Sequence, residues 1–222
     1  PVKIEVTITA KTKLFIFSAP CNPTGAVYTK NELEGLDKVF QKHPGIFIIS
    51  YEIYEYINYA HGEGGGHQSI AQYDYLVDRI IIVNGLSKGF AMTGWRLGYI
   101  AAPLEIAKAC EKIQGQFTSG TNSIAQRAAI AALDSPLTAT YEMVKEFKLR
   151  KQRVIELLKE IPALKFVEPD GAFYIFPEVK SYFGKKAGDE PINNASDLCM
   201  YLLNTAHVST VAGDAFGEPS CI

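Results

Sequence analysis

Ile80-Ile81-Ile82-Val83-Asn84-Gly85-Leu86-Ser87-Lys88-Gly89-Phe90-Ala91-Met92-Thr93-Gly94-Trp95-Arg96-Leu97-Gly98 is the stretch that decides how this chain folds. It opens with an uninterrupted apolar, β-branched run, the pattern of a strand buried on both faces. Asn84-Gly85 turns the chain, and a lysine follows at the mouth of the strand. An ammonium in such a place loses water, and a dehydrated ammonium deprotonates more easily, which is how proteins make a nucleophilic amine for Schiff-base chemistry. Arg96 offers a planar fork suited to a phosphate, and the glycines let backbone approach a ligand closely. Lysine and phosphate site together point to pyridoxal phosphate. Taken alone, a lysine after a strand is more often simply solvated.

Outward from this stretch the same alternation recurs. Residues 14–17, 46–49, 80–83 and 97–101 read as strands. Residues 29–41 read as a helix: Thr29 caps it, Glu32 stands three residues on as in a capping box, and Leu33, Leu36, Val39 and Phe40 share one face. Apolar strands separated by helices predict an α/β fold, a mostly parallel sheet with helices on both faces. Ligands of such sheets gather beyond the carboxyl ends of the strands. Asn22, then Tyr51 and Tyr54, then Lys88 fall after three successive strands. Further on, helices are expected over 104–113, 123–133, 142–160 and 195–204. On the third of these, Val144, Phe147, Val154, Leu157 and Leu158 are read as the inward face. Residues 115–122 form a polar interruption. Strands over 164–167 and 173–176 flank Pro169-Asp170-Gly171 and read as a hairpin. Asp134-Ser135-Pro136 breaks the pattern, so the expected division is a partial large cofactor domain over 1–134 and a small α+β domain over 135–222.

Composition narrows the function classes. The chain has 222 residues, 47% of them hydrophobic, enough for a real core. Net charge is −2, which favours neither nucleic acid nor an anionic membrane as partner, and no apolar run reaches the length of a membrane span. The start, Pro1-Val2-Lys3-Ile4-Glu5, does not resemble a secretory signal and lacks an initiator methionine, which reads as a processed chain or a fragment. Cys21, Cys110, Cys199 and Cys221 show no paired spacing, so free thiols in a reducing cytoplasm are expected. Cys21 reads as a small buried hydrophobe. His61 and His67 bracket a glycine run that reads as a flexible surface loop rather than a metal site.

Residues 85–98 resemble, position by position, the cofactor-lysine signature of class I and II aminotransferases, the pyridoxal-phosphate enzymes of fold type I similar to aspartate aminotransferase. Asn22-Pro23-Thr24-Gly25 resembles the family's Asn-Pro-x-Gly turn. Ile48-Ile49-Ser50-Tyr51-Glu52-Ile53-Tyr54 resembles the strand end that normally reads Asp-Glu-x-Tyr. The likeness runs on through 114–126 and 170–174 to 213–217.

The resemblance implies the site. Lys88 would form the Schiff base with the cofactor and carry the proton between substrate and cofactor. Arg96 would clamp the phosphate, with Ser87 adding a hydroxyl and Gly85 a backbone group. Asn22 and Tyr54 would hydrogen-bond the ring oxygen, and Asn22-Pro23 would be a cis peptide. The implied reaction is amino-group transfer between an amino acid and a 2-oxo acid, aspartate-type by overall resemblance, in a cytoplasmic homodimer. Residues 116–122 resemble a segment that reaches the neighbouring subunit's site, and read equally well as a plain interhelical loop. Other chemistries on the same scaffold, carbon–sulfur lysis or decarboxylation, stay open, as does a non-catalytic role in binding or assembly.

Three departures stand out. Tyr51 occupies the position of the aspartate that pairs with the pyridine nitrogen, and a phenol cannot supply that charge at neutral pH. An impaired transaminase is therefore expected. The glycine-rich loop and the stacking aromatic that precede these motifs in the family have no counterpart here. The chain also ends before the arginine that takes the substrate carboxylate. The expectation is the middle of a longer aminotransferase.

Overall fold

The computed structural model describes residues 1–59, 66–188 and 190–222. His61 and most of the glycine run read as a surface loop lie outside the described residues. The chain divides into two compact units. One comprises Pro1–Asn22, Ala26–Glu146 and Asp170–Ala172; the other comprises Pro23–Gly25, Phe147–Pro169 and Phe173–Ile222.

In the first unit, a short helix α1 (Val2–Thr7) precedes β1 (Leu14–Ser18), α2 (Lys30–Lys42), β2 (Phe47–Tyr51), β3 (Ile80–Gly85) and β4 (Gly98–Ala101), followed by α3 (Leu104–Phe117) and α4 (Ser123–Asp134). The sheet order is β1-β2-β3-β4. The first three strands are parallel and β4 is antiparallel to β3, so the α/β class and the dominance of parallel pairing are as the apolar runs require. The capping box is present as read: Thr29 accepts from the Glu32 N–H, and the Glu32 carboxylate accepts from the Thr29 N–H at 2.8 Å. The α2 face formed by Leu33, Leu36 and Phe40 packs with Ile48, Ile70, Leu76 and Ile80, the core on one side of the sheet. Arg79, itself buried, donates to the carbonyls of Phe40 (2.8 Å), His43 (2.9 Å) and Ile46 (3.0 Å), tying together the segment where α2 ends and β2 begins.

Register fixes the other face. Tyr51 pairs with Val83 and Val83 with Ile100, so these three side chains line up on the side away from α2. That side is open toward β1, where Ile16 is 62% exposed.

The long helix α5 (Thr138–Lys159) begins in the first unit and continues into the second; the boundary expected after Asp134 stands just ahead of it. Its buried and half-buried positions include Val144, Phe147, Lys151, Ile155 and Leu158. Val154 (41%) and Leu157 (43%) are exposed, which corrects the expected face by one residue in that stretch; the 3.6-residue period carries the stripe from 151 to 155, and Lys151 is accommodated because its amine donates to the Pro169 carbonyl at 2.8 Å. The second unit also holds β5 (Lys185–Ala187) and β6 (Glu190–Ile192), an antiparallel pair, and α6 (Ala195–Tyr201). Asn194 caps α6, accepting from the Asp197 N–H at 2.9 Å.

The hairpin expected around Pro169-Asp170-Gly171 is not formed. Lys165 of the first arm bridges Glu178, two residues beyond the second arm. The reason lies in where the turn's backbone groups go: the Asp170 carbonyl accepts from Tyr59 N–H and the Ala172 N–H donates to the Ile57 carbonyl, both at 2.7 Å, while Gly171 bridges Asn58. Those partners belong to the first unit, and Ala172 takes a left-handed conformation (φ 57°) to reach them.

Candidate active site

The ends of β2 and β3, with β4 and one face of α3, supply the site. Beyond β3, the segment from Leu86 onward is held by close backbone approaches that only glycine permits. A Cβ on Gly85 would lie 2.9 Å from both the Gly98 Cα and the Leu97 carbonyl oxygen. One on Gly89 would meet Tyr56 at 2.4 Å, and the Gly89 carbonyl accepts from Thr140 at 2.9 Å in a buried bond. Ala91 (φ 53°) and Arg96 (φ 51°) are both left-handed, a conformation that costs non-glycine residues energy and clusters at functional sites.

This backbone presents Ser87 and Arg96 to a cleft of about 590 Å³ whose wall also includes Tyr51 and Tyr99. The volume suits a small cofactor. The Arg96 guanidinium donates to its own segment's Thr93 carbonyl at 2.9 Å and remains exposed, leaving further N–H groups of its fork for an anion. Half-buried Lys88 brings its Nζ to 5.9 Å from the ring centroid of Tyr54, which is itself buried. Gly85, buried, pairs with Gly98 of the cleft wall. Asn22 stands on the exposed turn beyond β1 and is outside that lining. The turn closes through the Cys21 N–H to the Ala26 carbonyl at 2.9 Å. The cis peptide there is Ala19-Pro20, not Asn22-Pro23; proline narrows the trans preference at both steps, and the sequence alone does not choose between them. Cys21 is half-buried rather than buried.

The α3 residues of the wall, Ala107, Cys110, Glu111 and Gln114, escaped the sequence reading. Their 3–4–7 spacing marks one helical face, a signal that was available.

Beneath Tyr51 lies a polar cluster the sequence reading also missed. Glu52 is 4% exposed. Its Oε1 accepts from Ser50 and Ser69, each at 2.7 Å, and its Oε2 lies 2.7 Å from His67 Nε2. An ionised carboxylate only accepts, which assigns the hydrogen to Nε2. The buried Nδ1 of His67 has no hydrogen-bond partner among the described residues. Nearby, Glu55 accepts from Asn84 at 2.7 Å, yet burial pushes its carboxyl above the ordinary value. Burial, with the Glu55 and Glu52 carboxylates, also raises the Tyr99 phenol. Among the described residues no group of side chains is arranged to hold a metal ion, and no helix is long and apolar enough to cross a membrane.

A sheet with its lysine, arginine and tyrosine at the strand ends defines the class of protein, and the comparisons agree with it. The family model described as aminotransferase class I and II matches residues 2–222. The chain belongs to that family. It is 47% identical over 228 residues to the bifunctional aspartate aminotransferase and glutamate/aspartate-prephenate aminotransferase of Petunia hybrida, covering 100% of this chain and 47% of that protein. It is 40% identical to a probable aspartate/prephenate aminotransferase of Rhizobium leguminosarum bv. phaseoli, covering 96% and 53%. Among solved structures, the aspartate aminotransferase from Rhizobium meliloti superposes with a TM-score of 0.91 at 36% identity, covering 99% and 55%. The chain thus spans about half the length of the relatives it matches.

Proposed function

We propose that this chain is part of a pyridoxal-phosphate-dependent aminotransferase that exchanges amino groups between an amino acid and a 2-oxo acid, aspartate-type in substrate. The observation that carries this reading is the placement of Lys88 against Tyr54, next to a cleft walled by Ser87 and Arg96. Those donors suit a phosphate-bearing aldehyde: an amine to capture the aldehyde, and a guanidinium and a hydroxyl for the phosphate. When bound, the cofactor supplies the aldehyde and an electron-accepting ring. The work of the chain's own residues is then positional. Arg96 and Ser87 would hold the phosphate end, Tyr54 and Asn22 would orient the ring oxygen, and the Lys88 Nζ would take up and return the substrate proton. The names of the relatives support aspartate as donor. A homodimer in the cytoplasm goes with the same reading, as does free-thiol chemistry at all four cysteines.

The test uses the full-length protein. Incubation with pyridoxal phosphate should give a visible absorption band, and borohydride should fix the cofactor to Lys88, seen by peptide mapping. Aspartate with 2-oxoglutarate should then give glutamate without releasing ammonia or carbon dioxide. Release of either would indicate a lyase or decarboxylase on the same scaffold. Absence of any cofactor attachment would favour the non-catalytic reading, for which Tyr51 is the motivating residue.

A further inference from the structure

A carboxylate set against the pyridine nitrogen is what keeps the ring of pyridoxal phosphate protonated and electron-accepting. Tyr51 is the last residue of β2, 39% exposed, and lines the cleft with Ser87 and Arg96. Its neighbouring acids are not available to stand in for it. Side chains alternate along a strand, so Glu52 points away from the cleft into the buried cluster, where Ser50, Ser69 and His67 already occupy both oxygens. Glu55 is tied to Asn84, which donates to its carboxylate at 2.7 Å, and it is not among the residues of the cleft wall. The acid in the cleft wall is Glu111, on α3. Arg96 is the other charged group of that wall, and the reading above assigns it to phosphate.

We propose that the Tyr51 phenol is the group facing the pyridine nitrogen, and that it holds the bound ring unprotonated as a neutral hydrogen-bond partner. This rests on the assignment of Lys88 as the cofactor anchor. A phenol O–H can donate to an uncharged pyridine nitrogen but cannot balance a pyridinium charge. The phosphate and amine contacts are untouched by the substitution, so the cofactor is retained while its ring becomes a weak electron sink. The chain is then a cofactor holder with slow carbanion chemistry, and residue 51 tunes turnover rather than binding.

The measurement is the 15N resonance of ring-labelled pyridoxal phosphate bound to the full-length protein, recorded for the native chain, Tyr51→Asp, Tyr51→Phe and Glu111→Gln. The native chain, Tyr51→Phe and Glu111→Gln should show the neutral-pyridine signal, and Tyr51→Asp the pyridinium signal. Cofactor affinity should change by less than about tenfold on Tyr51→Asp, whereas turnover should rise by roughly two to four powers of ten. A pyridinium signal in the native chain overturns the proposal, and its loss in Glu111→Gln would name Glu111 as the true partner. Failure of the native chain to take up cofactor at all would instead sink the parent reading, and this one with it.

Discussion

The mouths of β2 and β3 lie side by side in the sheet, yet they are built on opposite plans. At β3 the backbone itself is committed: Gly85 and Gly89 sit where a Cβ would collide, and Ala91 and Arg96 are left-handed. At β2 the commitment is in one side chain. Glu52 gathers three partners beneath the surface, while Tyr51, one residue earlier, rests half-open on the cleft. The comparison teaches that foldability and chemistry occupy alternate positions of the same strand end. Residue 51 can change without disturbing the fold, because the buried face is satisfied through residue 52.

The largest effect should come from Glu52→Ala. It leaves the buried Ser50 hydroxyl and the half-buried Ser69 hydroxyl and His67 Nε2 without their acceptor, at about 1–3 kcal/mol for a buried group and less for a half-buried one, so a total loss near 3 kcal/mol is expected in denaturant unfolding. A loss below about 1 kcal/mol would break the contrast. Gly85→Ala should cost about 1–3 kcal/mol, since the obstacles at 2.9 Å are backbone atoms that cannot swing aside. It should also lower cofactor uptake, whereas Glu52→Ala at temperatures where it stays folded should not. Tyr51→Asp should change stability by no more than about 0.5 kcal/mol; a larger shift in unfolding midpoint would mean residue 51 also supports the fold. The smallest effect is pH-dependent. Because the folded carboxyl of Glu55 titrates above its ordinary value of 4.5, its contribution is present below pH 4.5 and is lost as pH rises through the raised value. Melting temperatures of the native chain relative to Glu55→Gln should therefore decline over that window and run parallel above it.

Much of this was legible in the residues. Apolar β-branched runs gave the strands, and Thr29 with Glu32 gave the start of α2 to the residue, because local capping chemistry is written within four positions. The lysine segment could be read because Gly85, Gly89 and Gly98 sit where a Cβ would crowd its neighbours and so cannot readily be anything else. The hairpin around Gly171 was misread for the opposite reason. Its turn residues satisfy their hydrogen bonds with Ile57 and Tyr59, more than a hundred positions away, and no local pattern encodes that. The Glu52 cluster was equally hidden, since its partners His67 and Ser69 stand 15 and 17 positions further along the chain, beyond the reach of any local pattern. β5 and β6 carry lysines and a proline in place of alternating apolar residues and gave no strand signal.

Arg79 has a consequence of its own. One guanidinium reaches three carbonyls spread over Phe40 to Ile46, so the tight connection His43-Pro44-Gly45 cannot open without stripping a buried cation of all three acceptors. Fraying of that corner is thereby coupled to displacement of the turn that carries Arg79 into β3. The amides of His43 and Ile46, which donate to the Phe40 and His43 carbonyls, should therefore exchange with deuterium more slowly in the native chain than in a variant lacking the Arg79 guanidinium.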